Sequence, residues 1–91
     1  MEIKRSASAG TLESSDILVQ VEPYGNGIEI ELQSVVMEQF GDDIERTVRE
    51  VLKEFNVTSG KFRLKDRGAV ECVIRARVET AVKRAEGADN Q

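Results

Sequence analysis

Two stretches, "DILVQVEP" (residues 16–23) and "GIEIELQS" (27–34), alternate apolar and polar side chains, a pattern that fits an extended strand and not a helix. A period of two puts Ile17, Val19 and Val21 on one face, with Leu18, Gln20 and Glu22 on the other. Likewise Ile28, Ile30 and Leu32 oppose Glu29, Glu31 and Gln33. Each run therefore reads as a half-buried strand. Pro23 closes the first, because proline cannot donate to a ladder. "YGNG" (24–27) supplies residues tolerant of positive φ, so the expected arrangement is an antiparallel hairpin.

The period then changes. Val36, Phe40, Ile44, Val48, Val51, Leu52 and Phe55 fall at helical spacing and form one apolar stripe. Gly41 interrupts it, and Asp42 with Glu45 resembles a capping box. These signals predict a short helical turn over 34–40 and a main helix over 42–55, stopped by Asn56 in the left-handed conformation. A second hairpin is expected from "KFRLKD" (61–66), a turn at "DRG", and "AVECVIR" (69–75), which would place Val70, Cys72 and Ile74 on one face. A last helix over 76–85 carries Val78, Ala81, Val82 and Ala85, and Gly87 breaks it.

The predicted order is thus ββαββα. The economical way to bury two half-apolar hairpins and two helical stripes is a two-layer α+β sandwich, an antiparallel four-stranded sheet with both helices on one face. Residues 1–11, small and aperiodic, read as a flexible N-terminal arm. The folded domain spans 12–86, and 87–91 read as a disordered C-terminal tail.

Composition narrows the chemistry. The 91 residues carry a net charge of −4 and include one cysteine, no histidine and no tryptophan. Without histidine the chain lacks the commonest general acid–base group and the commonest metal ligand, and no Ser–His–Asp or Cys–His device can be built. It has neither a glycine-rich phosphate loop nor a CxxC pair, so no metal site is expected. The acidic total disfavours nucleic acid, whose binding rests on phosphate neutralisation. No apolar run is long enough to cross a bilayer and the start lacks a secretory h-region, so the expected place is the cytoplasm, away from membranes. The chain reads as something acted upon rather than as an enzyme.

Few side chains stand out as sites. Cys72 is expected on the buried side of a strand, as a small hydrophobe. Glu29 and Glu31 alternate with core residues, and solvation accounts for them. A basic set, Arg75, Arg77, Lys83 and Arg84 with Lys61, Arg63, Lys65 and Arg67, reads either as a solvated face or as a docking surface, centred on Arg75 and Arg77, for an anion or acidic partner. Ser14 and Ser15, in "AGTLESSD" (9–16), precede the first strand in a stretch that packing does not require. Serines there ordinarily bond to local backbone. Exposed hydroxyls are also acceptors for groups that another enzyme attaches.

Three blocks, "AGTLESSD" (9–16), "EQFGDDI" (38–44) and "DRGAVECVIRARVETAVKRA" (66–85), occur in an order and spacing that resemble the acyl carrier, or gamma, subunit of citrate lyase. That family commonly has "DKGALDC" where this chain has "DRGAVEC". The resemblance implies a cytoplasmic carrier phosphoprotein of citrate fermentation bearing covalently bound 2′-(5″-phosphoribosyl)-3′-dephospho-coenzyme A. The group is linked by a phosphodiester to the serine that follows "TLE", which selects Ser14. Its thiol would hold acetyl and citryl groups for an alpha subunit, the acyl transferase, and a beta subunit, the citryl lyase. The other implied partners are the holo-acyl-carrier synthase that attaches the group and the acetate ligase that acetylates the thiol. Glu13 and Asp16, beside an anion-to-be, are expected to serve recognition by the modifying enzyme. The competing readings are an unmodified structural adaptor of a multi-subunit complex and a small RNA-binding domain.

Overall fold

The computed structural model describes residues 1–87; the tail expected over 87–91 lies, from 88 onward, outside the described residues. The elements are β1 (Ala7–Ala9), β2 (Ile17–Glu22), β3 (Ile28–Ser34), α1 (Met37–Glu54), β4 (Gly60–Asp66) and α2 (Glu71–Ala85). One four-stranded sheet has the order β1-β2-β4-β3. β1 and β2 are antiparallel, as are β2 and β4, whereas β3 runs parallel to β4. The fold is α+β with a mixed sheet, and the order is βββαβα, not ββαββα.

Both alternating runs are strands, but they do not pair with each other. β4 lies between them, matching Val19 to Leu64 and Val21 to Phe62 on one edge and Ile30 to Phe62 and Leu32 to Leu64 on the other. Two strand spacings separate β2 from β3, about 10 Å. Residues 23–27 can reach about 17 Å when extended, so they step across the end of β4 instead of turning tightly. The Gly60 amide donates to the Gly27 carbonyl at 3.0 Å and seals that crossing. Alternation reports which face is buried and says nothing about the neighbour. Between two strands, β4 satisfies both of its ladders and buries Phe62 and Leu64 almost completely.

"AVECVIR" is not a strand. Its residues 71–75 open α2, whose buried stripe is Ile74, Val78, Ala81, Val82 and Ala85, while Val70 and Cys72 are exposed. Three alternating positions are too few to outweigh an i, i+4 series that runs from Ile74 to Val82. The fourth strand comes instead from the supposed arm. Ala7 pairs with Val21 and Ala9 with Val19, Ile3 is buried in the core, and the Lys4 and Arg5 amides both donate to the Ala85 carbonyl, at 2.9 and 3.1 Å. Alanine and serine are poor strand formers, so composition hid this segment. Gly10 lets it turn. Its φ is +95°, and a Cβ there would meet the Ile17 carbonyl oxygen at 1.8 Å.

Helix α1 runs unbroken through Gly41, which is buried, with the Met37 side chain over it. A single interior glycine costs a helix only about 1 kcal/mol, less than the stripe of Ile44, Val48, Val51 and Leu52 recovers by burial. Asn56 ends the helix with φ at +56°, and the Val57 amide returns to the Leu52 carbonyl at 2.9 Å. α1 and α2 pack on each other, α2 also against β1 and β2 and α1 also against β3. One layer of helix covers the apolar face of the sheet. On the other face, Lys61 and Arg63 pair with Glu22, Glu29 and Glu31 across strands.

Candidate functional site

The segment between β1 and β2, residues 10–16, projects from one end of the sheet with Ser14 and Ser15 exposed. Neither hydroxyl has a hydrogen-bond partner among the described residues. The local bonding expected of them is done by neighbours. Thr11 Oγ1 donates to Asp16 Oδ2 at 2.7 Å and accepts the Glu13 amide at 3.1 Å, and the Asp16 amide donates to the Glu13 carbonyl at 3.2 Å. Ser15 stands in the left-handed region at φ +65°. That bend throws Ser14 outward between two anchored residues.

Asp16 is the base of the loop. Its carboxylate accepts Arg77 Nε at 3.0 Å and a terminal Arg77 nitrogen at 2.9 Å, together with Thr11 Oγ1 and the Ile17 amide at 2.7 Å. Hydrogen bonding from Arg77, then from Thr11 and Ile17, holds this carboxyl well below the usual aspartate range. The folded state therefore releases the proton more readily than the unfolded chain, and the associated stability is present in full at neutral pH. It declines as acidification protonates the unfolded aspartate, below about pH 4. Urea unfolding at pH 7 and pH 2.5 checks this: the stability gap between wild type and Asp16→Asn should narrow at the lower pH. A gap of constant size would show that Arg77 does not favour the charged form.

Asp16 was expected to serve a modifying enzyme, yet it is occupied inside the chain, which leaves Glu13 as the exposed carboxylate beside Ser14. The docking surface expected around Arg75 and Arg77 is likewise not available as free charge. Arg77 is committed to Asp16, and Arg75 binds both Glu54 oxygens at 2.6 Å with Glu50 at 3.5 Å.

A second carboxylate organises the neighbouring turn, and the sequence reading missed it. Asp66, at the end of β4, is buried. It accepts the Ser34 hydroxyl at 2.7 Å and the Gly68 and Ala69 amides at 3.1 and 3.0 Å. Ser34 Oγ in turn accepts the Val36 amide at 3.0 Å, so one aspartate joins the end of β3, the start of α1 and the turn into α2. The available signal was Asp-Arg-Gly itself, since aspartate two residues before glycine is turn-forming chemistry. Arg67 then stitches this turn to the serine loop: its amide donates to the Asp16 carbonyl at 2.9 Å and its carbonyl accepts the Ser15 amide at 2.8 Å.

On the far side of the same turn lies a cleft of about 410 Å³ between the helices, with Phe40, Ile44, Ala69 and Ile74 in its wall. The serine loop, the 38–44 block and the start of the 66–85 block thus lie around the turn at residues 66–69. Among the described residues no three His, Cys, Asp or Glu side chains cluster as metal ligands, and no helix is long and apolar enough to cross a membrane.

The model of the malonate decarboxylase delta subunit (MdcD) family, a family of acyl carrier type, matches residues 4–85. The fold is shared with a chain of a solved Pseudomonas malonate decarboxylase hetero-tetramer in complex with malonate. The TM-score is 0.80 over 91% of this chain and 86% of that one, at 21% identity. Fold and family model together place the chain in the class of small α+β acyl carrier subunits. Sequence relatives are more specific. The citrate lyase acyl carrier protein of Treponema denticola is 49% identical over 85 residues, 93% of this chain and 97% of that protein. Those of Halothermothrix orenii and Oenococcus oeni are 48% and 45% identical, over 93% and 100% of this chain and 90% and 94% of theirs. The chain belongs to the citrate lyase acyl carrier protein family, whose members are carriers and not catalysts.

Proposed function

We propose that the chain is the acyl carrier of citrate lyase and that the Ser14 hydroxyl is its covalent anchor, bearing 2′-(5″-phosphoribosyl)-3′-dephospho-coenzyme A through a phosphodiester. The observation that carries this reading is the Ser14 hydroxyl itself: exposed, without a partner, and on a loop braced on both sides by Asp16 and Arg67. The residues fit the group, since the Ser14 hydroxyl makes no hydrogen bond among the described residues that a substituent would break, and its side chain is exposed. In forming the ester, Ser14 Oγ would gain a bond to phosphorus while a phosphoanhydride bond of the activated donor breaks and the donor's outer phosphate portion leaves. The hydroxyl proton goes to a base of the modifying synthase, because this chain has no histidine to take it.

When bound, the group supplies a thiol that holds acetyl and citryl units while citrate is cleaved to oxaloacetate and acetate. Thr11, Asp16 and Arg77 fix where the tether starts, and its length sets the effective concentration at the alpha transferase and beta lyase sites. The partner that would load the thiol is an acetate ligase, and the proposed location is the cytoplasm. Intact-mass measurement of the chain from lyase purified from its native host should show the adduct, localised by peptide mapping to Ser14. A bare polypeptide in fully competent lyase would overturn the proposal and leave a structural adaptor.

A further inference from the structure

We infer that Arg67 is the residue of this chain that holds the phosphate attached at Ser14. This rests on the reading of Ser14 as the anchor. Arg67 is fixed opposite the loop by its own main chain, through the Ser15 amide and the Asp16 carbonyl. Its side chain turns back along the loop to donate to the Leu12 carbonyl at 3.2 Å. Position 14 therefore lies between the two places where Arg67 touches the loop.

Charge separates Arg67 from the other arginines of this region. Arg77 and Arg75 are each matched to carboxylates at 3.0 Å or less. Arg67 has no carboxylate partner among the described residues, and its one side-chain bond goes to a neutral carbonyl at the long end of the useful range. A guanidinium has five N–H donors in a planar fork that matches two phosphate oxygens, so most of its bonding capacity here is unused. The attached phosphodiester, in turn, brings a negative charge next to Glu13 and close to Asp16. Two arginines touch the loop, and Arg77 is already matched to Asp16, which leaves Arg67 as the one whose charge a phosphate there can use. Exchanging the Leu12 carbonyl for a phosphate oxygen replaces a neutral acceptor by a charged one and ties the root of the tether to the turn that Asp66 organises.

The test uses the smallest version of the ligand, a phosphoserine installed at position 14 of the full chain, with its second ionisation followed by 31P NMR. That ionisation lies near pH 6 when unperturbed, and a bound guanidinium lowers it. The charged neighbours Glu13, Asp16 and Arg77 are the same in every sample, so differences report Arg67. We expect the phosphate in the wild-type background to titrate lower than in Arg67→Gln by about half a pH unit or more, with Arg75→Gln indistinguishable from wild type. Equal values in wild type and Arg67→Gln, or an equal rise in Arg75→Gln, would overturn the inference. The urea midpoints of unphosphorylated wild type and Arg67→Gln should coincide, since Arg67 is exposed and its main-chain bonds survive the change. Because the phosphate is installed directly, this experiment succeeds or fails independently of the native-mass measurement, which alone decides whether Ser14 carries the prosthetic group.

Discussion

Replacing Ser14 by alanine is expected to remove the adduct from natively produced chain and to abolish citrate cleavage by the assembled lyase, while leaving the fold unchanged. The expectation is sharp because the structure gives the hydroxyl nothing else to do. It makes no hydrogen bond among the described residues, it is exposed, and the bonds that shape the loop belong to Thr11, Glu13, Ser15 and Asp16. A surface substitution away from any cap or buried network changes stability by no more than about 0.5 kcal/mol, so the unfolding midpoint should stay where it is. Ser15→Ala separates the two hydroxyls. Ser15 contributes through its amide and its left-handed φ, both of which alanine retains, so this variant should still be loaded. Mass spectrometry of both variants from the native host decides the matter. An adduct surviving on Ser14→Ala would move the anchor elsewhere; an adduct lost only from Ser15→Ala would move it by one residue.

Local patterns were legible where they were long and of one period. β3 alternates along its seven residues and β2 along its six with Leu18 the one apolar side chain on the polar face, the α1 stripe spans several turns, and Asn56 stops α1 in the conformation its chemistry allows. What escaped was set by tertiary competition. β1 is three residues of alanine and serine that pair because Val19 and Val21 of β2 offer an open edge, not because of any propensity of their own. The start of α2 shows alternation over Val70, Cys72 and Ile74, yet only Ile74 is buried, since the helix continues to Val78 and Val82. Sheet order was out of reach for the same reason: a one-face pattern is equally content beside either neighbour. At the site, the exposure of Ser14 followed from the lack of hydrophobic period around it, whereas the bracing did not. Asp16 and Arg77 stand 61 positions apart, and nothing in either local sequence announces the other. That pairing, with Arg75 on Glu54, also explains why Arg75 and Arg77 do not form a free basic surface.

Asp66→Ala should be the most destabilising single polar substitution in this end of the molecule. The carboxylate is 2% exposed and accepts from two backbone amides, Gly68 and Ala69, and from the Ser34 hydroxyl. Hydrogen bonds to a charged group contribute about 1.5–3 kcal/mol each, and a buried donor left without an acceptor costs about 1–3 kcal/mol. These terms are not additive, because the turn can relax toward water, and a net loss of about 3 kcal/mol is the reasonable expectation. For a domain of this size that corresponds to a fall of roughly 12–24 °C in Tm. Asp66→Asn keeps the volume and one carbonyl oxygen, so it should lie between alanine and wild type. The consequence reaches Ser14 through Arg67, whose amide and carbonyl hold residues 15 and 16 only while the turn keeps its shape. Amide exchange at Ser15 and Arg67 should therefore accelerate in Asp66→Asn by more than exchange at Phe62 or Val19, which sit further inside the β2–β4 ladder, away from its end at Asp66. Uniform acceleration across all four amides would mean that Asp66 contributes only global stability and does not brace the loop that presents Ser14.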